Sequence, residues 1–343
     1  MTTQIDTATL RLWLEEQRPV RLLDVRSADD REQWSIPGSV QVAAYESLKA
    51  GQAGALDGFD LLGTGPVVTV YNEGRMSLLA AQQLRARGVH AISLEGGMKG
   101  WSLAWNTAPV SHSLSRTRVL QIRRTGKGCL SYLISSDGEG LVIDASLPPE
   151  VCVRLAEQEG GTIRFVVDTH VHADHLSRSR ALAQQTNTVY VLPKLPKQSR
   201  VTRPFRPVAD GETLKIGHSR LTSLRTPGHT AESTCYLLDD AALFTGDTLF
   251  LAGVGRPDLH ADAHIDEAPV RQCAAGLHAS LARLFALDDK LSVLPGHTSE
   301  PVPFDVPFPS EAGRQQGPGG YRTTNQFDQR SWNLEGADKC HCV

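Results

Sequence analysis

The sequence predicts an α/β protein of two domains. Three observations carry that prediction. The chain has 343 residues, more than one ordinary domain holds. Short apolar runs alternate with stretches of helical spacing in both halves. In the second half, four apolar runs each end in a residue of metal-ligand type.

In order, Leu10 to Glu16 has helical spacing and Arg21-Leu22-Leu23-Asp24-Val25-Arg26 reads as a strand ending in a charged pair. Val67 to Tyr71 is a second buried strand. Ser77 to Gly88 is a helix with Leu79, Ala80 and Leu84 on one face, and Ala91 to Leu94 is a third strand. This alternation predicts a small parallel α/β unit over residues 1–108. Residues 109–115 read as a linker. Strands follow at Val119–Arg123, Leu130–Ile134 and Gly140–Asp144, the last two joined by the turn Ser136-Asp137-Gly138. Glu150 to Glu159 reads as a helix.

The chemistry-bearing stretch comes next. Ile163 to Asp168 is a strand, and His170-Val171-His172-Ala173-Asp174-His175 follows it, before a helix to Gln185. Three imidazoles and one carboxylate within six residues suit zinc, iron, manganese or nickel. The strand Leu221–Arg225 leads to His229, Ala241–Thr245 to Asp247, and Leu291–Leu294 to His297. Strand ends in a layered sheet can converge on one edge. A glycine precedes each of His229, Asp247 and His297, which permits sharp turns and close approach.

With these residues in place, the segment from about Arg116 to Ser310 resembles the metallo-β-lactamase superfamily. The matching motifs are H-x-H-x-D-H at His170 to His175, then His229, Asp247 and His297. Phe244 to Phe250, followed by Gly253-Val254-Gly255-Arg256-Pro257-Asp258-Leu259, is similar to the persulfide dioxygenase branch. The resemblance implies an αββα sandwich over residues 116–310, with Asp144 beside the site. A tail, 311–343, follows, and contains Cys340-His341-Cys342. Its two thiols and one imidazole need a fourth ligand to close a metal site.

The first unit resembles a rhodanese domain through Asp24-Val25-Arg26, Ile36-Pro37-Gly38-Ser39, and Leu94-Glu95-Gly96-Gly97 with Gly100-Trp101. Rhodaneses need a thiolate after the central strand. Asn72 stands there instead, in the loop Tyr71-Asn72-Glu73-Gly74-Arg75, and residues 1–108 contain no cysteine. A catalytically inactive docking, dimerisation or folding module is expected, with anion binding at Asn72 and Arg75 as the weaker reading.

Two metal arrangements stay open. With one ion, the resemblance to persulfide dioxygenases implies Fe(II), one per chain, held by His170, His229 and Asp247. This is a two-histidine, one-carboxylate triad for O2 and a persulfide or thiol substrate. His172, Asp174, His175 and His297 then surround it as hydrogen-bonding groups. With two ions, such as Zn(II), His170, His172 and His229 hold one. Asp174, His175 and His297 hold the other, Asp247 bridges, and ester or thioester hydrolysis follows. Arg256, Asp258 and Thr230 are the expected substrate contacts, with Arg256 suited to a carboxylate of glutathione. The short stretch of 46 residues after His297 also favours the dioxygenase over type II glyoxalases, which carry a longer helical C-terminal domain. One departure stands against glutathione persulfide itself: Ser299 occupies the position of a substrate-contacting tyrosine.

Composition narrows the rest. Lys plus Arg number 35 against 38 Asp plus Glu, a formal charge of −3, which implies no nucleic acid. The basic stretch Lys194 to Arg206 holds two prolines and reads as a solvated loop. No apolar run is long enough for a bilayer and no leader pattern is visible, so a cytoplasmic protein with reduced thiols is expected.

Overall fold

The computed structural model describes residues 3–60, 63–171, 177–197, 199, 201, 204–251, 253–257 and 267–298. It divides into two compact units, one chiefly of residues 3–106, the other of residues 107–123 and 128–298.

The first unit contains β1 (Gln4–Ile5), α1 (Thr7–Glu15), β2 (Arg21–Asp24), α2 (Ala28–Gln33) and β3 (Val40–Gln41). It continues with α3 (Tyr45–Lys49), β4 (Val67–Val70), α4 (Arg75–Ala86), β5 (Ala91–Leu94) and α5 (Gly97–Trp101). The strands form a parallel sheet ordered β1-β5-β4-β2-β3. Parallel strands covered on both faces read as continuous apolar runs, as in Val67-Val68-Thr69-Val70. Period two then splits the side chains between faces. Leu23, Val67 and Ala91 pack with Ala80, Ala81 and Leu84 of α4. Leu22, Val68 and Ile92 pack on the other face with Leu10 and Trp101. Thr69 is buried without penalty because its hydroxyl donates to the carbonyls of Ser77 and Ile92.

The Asp24-Val25-Arg26 turn is an internal clamp. Arg26 and Asp24 are 3% and 1% exposed, and the guanidinium meets the carboxylate through Nε (3.0 Å) and Nη2 (2.7 Å). The remaining guanidinium donors reach the carbonyls of Asp30 and Trp34. The charged pair thus holds the chain that leaves β2.

The second unit is a sandwich of two sheets. The first has seven strands in the order β12-β11-β10-β9-β8-β7-β6. These are β6 (Asn106–Pro109), β7 (Thr117–Arg124), β8 (Cys129–Ser136), β9 (Glu139–Ile143), β10 (Thr162–Val167), β11 (Val189–Pro193) and β12 (Arg206–Val208). The second is ordered β13 (Thr213–Ile216), β14 (Ser219–Arg225), β15 (Thr234–Leu238), β16 (Ala242–Gly246) and β17 (Ser292–Pro295). Between them lies one core, including Tyr132, Ile143 and Val167 from the first sheet and Leu221, Tyr236 and Phe244 from the second. Tyr132 meets Phe244 edge to face at 5.0 Å, and its hydroxyl donates to the Pro295 carbonyl at 2.6 Å. Helices α6 (Pro149–Gln158) and α7 (Ser179–Gln185) pack on the first sheet. Helix α8 (Glu267–Phe285) covers the second, with Leu284 against Leu224 and Leu243. This is the expected αββα arrangement.

Two expectations need adjustment. Pro109, expected in the linker, ends strand β6. Arg206, expected in a loop, begins the edge strand β12, whose pairing with β11 is parallel. The tail from 311 and its Cys340-His341-Cys342 lie outside the described residues. Among the described residues, no helix is long and apolar enough to cross a membrane.

The clamp yields a test. Arg26→Ala leaves the buried Asp24 carboxylate with only the backbone N–H of residue 26 and the more distant Arg31 guanidinium, 3.9 Å away, at a cost of about 3 kcal/mol. Urea denaturation followed by tryptophan fluorescence is expected to show the first unit melting earlier. A loss under about 1 kcal/mol would mark the pair as a surface-type bridge.

Candidate metal centre

Strand direction assembles the site. β14 is antiparallel to β15, and β15 is antiparallel to β16, so β14 and β16 run the same way; β17 is parallel to β16. Their C-terminal ends therefore share one edge, where they deliver His229, Asp247 and His297. β10, in the other sheet, delivers His170 there. The one-residue step from β16 to Asp247 needs Gly246, whose φ is +50° and whose absent Cβ would meet Thr169 Oγ1 at 2.5 Å.

The Asp247 carboxylate sits at the centre, 7% exposed. Its Oδ2 lies 3.7 Å from His170 Nε2 and 3.6 Å from His229 Nε2. The ligand atoms of these three residues all lie within 4.8 Å of one another. The two imidazoles are edge to face, 5.0 Å apart. Oδ1 is 2.7 Å from His297 Nδ1. Burial opposes the Asp247 charge, but His297, hydrogen-bonded to Oδ1, holds its carboxyl below the usual range.

Hydrogen-bond direction sets each imidazole. Thr169 donates its backbone N–H to Asp144 Oδ1 (2.7 Å) and its hydroxyl to Oδ2 (2.8 Å). With that proton committed, Thr169 Oγ1 accepts from His170 Nδ1 at 2.9 Å. His229 Nδ1 faces the Arg256 carbonyl at 3.2 Å, and a carbonyl only accepts. Both rings therefore carry hydrogen on Nδ1 and turn the Nε2 lone pair toward Asp247. Two imidazole nitrogens and one carboxylate oxygen with lone pairs converging is a donor set that fits iron or zinc. His297 differs, because its Nδ1 already binds Asp247.

The structure distributes the other expected residues unevenly. His172, Asp174, His175, Asp258 and Ser299 lie outside the described residues. Arg256 is exposed, two residues past the hairpin closed by the Leu249–Val254 bridge. Thr230 is buried at 2% exposure with its hydroxyl on Ser233 at 2.7 Å. It braces the turn after His229 rather than offering a substrate contact. Cys235 is fully buried against Thr226, and burial pushes its thiol up to about 11, which removes it from pocket chemistry. In the first unit, Asn72 lines a cavity of about 410 Å³ with Arg26, Asp30, Trp34, Glu73 and Met98. Asn72 Nδ2 donates to Asp30 Oδ2 at 3.4 Å. Asp30 and Glu73 share that wall with Arg26, Lys99 and Lys127, and Arg75 is exposed outside it.

Sequence reasoning missed Thr169 as the group that orients His170. It also missed Glu232, a buried carboxylate that receives the Val171 N–H. The signal available was small: an acid three residues past a ligand motif reads as a solvated charge.

The backbone over His229 generates a test. A Cβ on Gly255 would lie 1.9 Å from the Asp247 carbonyl and 2.8 Å from His229 Nδ1. Gly255→Ala is expected to weaken metal retention by about 10–100-fold, as loss of an orienting partner does. Metal content after chelator dialysis reads it, and retention equal to wild type would refute the close approach.

Comparison with known proteins places this geometry. Residues 124–297 match the family model described as "Metallo-beta-lactamase superfamily", and residues 6–104 match "Rhodanese-like domain". A protein from Brucella anthropi named hydroxyacylglutathione hydrolase is 35% identical over 126 residues, 36% of this chain and 48% of that protein. The chain spans about half the length of the curated relatives it matches first. A solved metallo-beta-lactamase from Staphylococcus aureus subsp. aureus COL aligns with TM-score 0.52 at 27% identity, over 60% of this chain and 61% of that one. The structure of ETHE1 from Myxococcus xanthus aligns with TM-score 0.45 at 32% identity, over 52% of this chain and 75% of that one. The chain therefore belongs to the metallo-beta-lactamase superfamily, and it carries a rhodanese-like domain ahead of that fold.

Proposed function

We propose that the second unit is a mononuclear non-haem Fe(II) dioxygenase. It oxidises the sulfane sulfur of a low-molecular-weight persulfide, such as glutathione persulfide, to sulfite with O2. The observation that carries this reading is the division of labour on Asp247. Oδ2 faces both ligand imidazoles, while Oδ1 is engaged by His297. A bridging carboxylate would turn Oδ1 to a second ion, and His297 would spend a lone pair there instead of an N–H. Among the described residues, one three-ligand position is complete.

His170, His229 and Asp247 would hold ferrous iron, and the chemistry it would supply there is activation of O2 toward the terminal sulfur. The balance is RSSH + O2 + H2O → RSH + H2SO3. Four electrons pass from sulfur to oxygen, the S–S bond breaks, and the thiol leaves with a proton. The protein supplies orientation. Thr169 and the Arg256 carbonyl hold two rings by their Nδ1–H groups, and His297 holds the carboxylate rotamer. The exposed Arg256 guanidinium suits a carboxylate of the thiol moiety. The first unit has no cysteine and so cannot carry a persulfide on sulfur.

The second reading is a dinuclear zinc hydrolase of thioesters. The Brucella anthropi relative's name, hydroxyacylglutathione hydrolase, favours it. The two differ in metal content and gas uptake. Anaerobically purified protein is expected to hold about one iron per chain and to consume O2 on adding glutathione persulfide, with sulfite formed. Asp247→Ala is expected to lose both the iron and the uptake. About two zinc ions per chain with thioester hydrolysis and no uptake would replace this reading with the hydrolase.

A further inference from the structure

Two segments from different sheets are laced together beneath the ligands. Tyr236 donates its hydroxyl to the Asp168 carbonyl at 3.2 Å. Thr234 donates its N–H to the Thr169 carbonyl at 3.0 Å. Glu232 Oε1 accepts the Val171 N–H at 3.1 Å. Glu232 lies in the turn just before β15, and Thr234 and Tyr236 lie on that strand. They grip the chain that leaves β10. The first two contacts use fixed partners of a strand and its aromatic. The third uses a long acidic side chain as the acceptor, and the Glu232 carbonyl accepts from the Thr234 hydroxyl at 3.0 Å.

We propose that Glu232 is a positioning residue for the metal centre: its carboxylate, by accepting the Val171 N–H, locks the turn that aims His170 at His229 and Asp247. This rests on the metal reading above. His170 is held on its N-terminal side by Asp144 through Thr169. Glu232 closes the C-terminal side. It lies three residues past His229, so one short segment carries a ligand and fixes its partner ligand 59 residues earlier in the chain. Glu232 is 8% exposed, and burying a carboxylate without hydrogen bonds is unfavourable. The Val171 amide, on a residue 37% exposed, would otherwise turn to water and take the His170 backbone with it.

The test uses the full chain stripped of metal and titrated with Co(II) against a chromophoric chelator. Glu232→Ala is expected to weaken Co(II) binding by about 10–100-fold. Glu232→Gln keeps an oxygen acceptor and is expected to stay within about threefold of wild type. Wild-type affinity in the alanine variant, or an equal loss in both variants, overturns the proposal. Failure of wild type to bind Co(II) at all instead overturns the metal reading. If the alanine variant does not fold, hydrogen exchange at the Val171 amide of the wild-type protein decides. Slow exchange supports the latch, and exchange at an open-loop rate overturns it.

Discussion

The second unit depends on the two oxygens of one carboxylate. Asp247 is buried, and a buried charge persists only where other groups meet both of its oxygens. Here His170 and His229 face one oxygen, and His297 binds the other. This requirement reaches into the fold. It needs four strand ends at one edge: the antiparallel–antiparallel–parallel order from β14 to β17 provides three, and β10 of the other sheet provides the fourth. It needs a backbone without side chains at Gly246, packed against Thr169, and at Gly255, packed against His229. The core between the sheets then fixes the strand ends, because Tyr132 spans it to the Pro295 carbonyl one residue before Gly296.

The ligand residues were legible because each is polar at the end of an apolar run. His170, His229, Asp247 and His297 all follow strands that alternate or repeat buried residues. The hairpin at Asp137-Gly138 was legible too, and both residues adopt positive φ. The elements that escaped are those whose identity comes from a neighbour. β6, Asn-Thr-Ala-Pro, has no apolar pattern and is a strand by virtue of its place beside β7. Helix α8 meets the His229 turn through Leu277, which packs on Gly228, and through Ser280, which donates to the Pro227 carbonyl. Gly276 faces the same carbonyl, so the contact surface lacks a run of large apolar residues. Hydrogen-bond direction was illegible altogether. Thr169 orients His170 only because Asp144, 25 residues earlier, takes its proton.

The first unit applies the same chemistry to a different end. Its C-terminal sheet edge is also where an open α/β sheet places ligands. Yet the charged groups there are consumed internally. Arg26 spends its donors on Asp24 and on the carbonyls of Asp30 and Trp34. Asn72, at the position of a nucleophile, donates to Asp30. The carbonyls of Tyr71 and Asn72 accept from Met98 and Lys99 of α5. A cavity remains, but its wall is self-paired.

That contrast separates an edge built for chemistry from one built for holding a shape. In both units, polar residues at strand ends are buried and hydrogen-bonded, so burial alone distinguishes nothing. What differs is where the remaining lone pairs point. In the first unit, the Asp24 carboxylate is closed by the guanidinium it contacts, and the loop carbonyls by neighbouring amides. In the second, the His170 and His229 rings are hydrogen-bonded through Nδ1, which turns each Nε2 toward the Asp247 oxygen. Structural polar groups end in each other; these end at a common point. A cation is the species that satisfies such convergence, because a hydrogen-bond donor could meet only one acceptor well at a time.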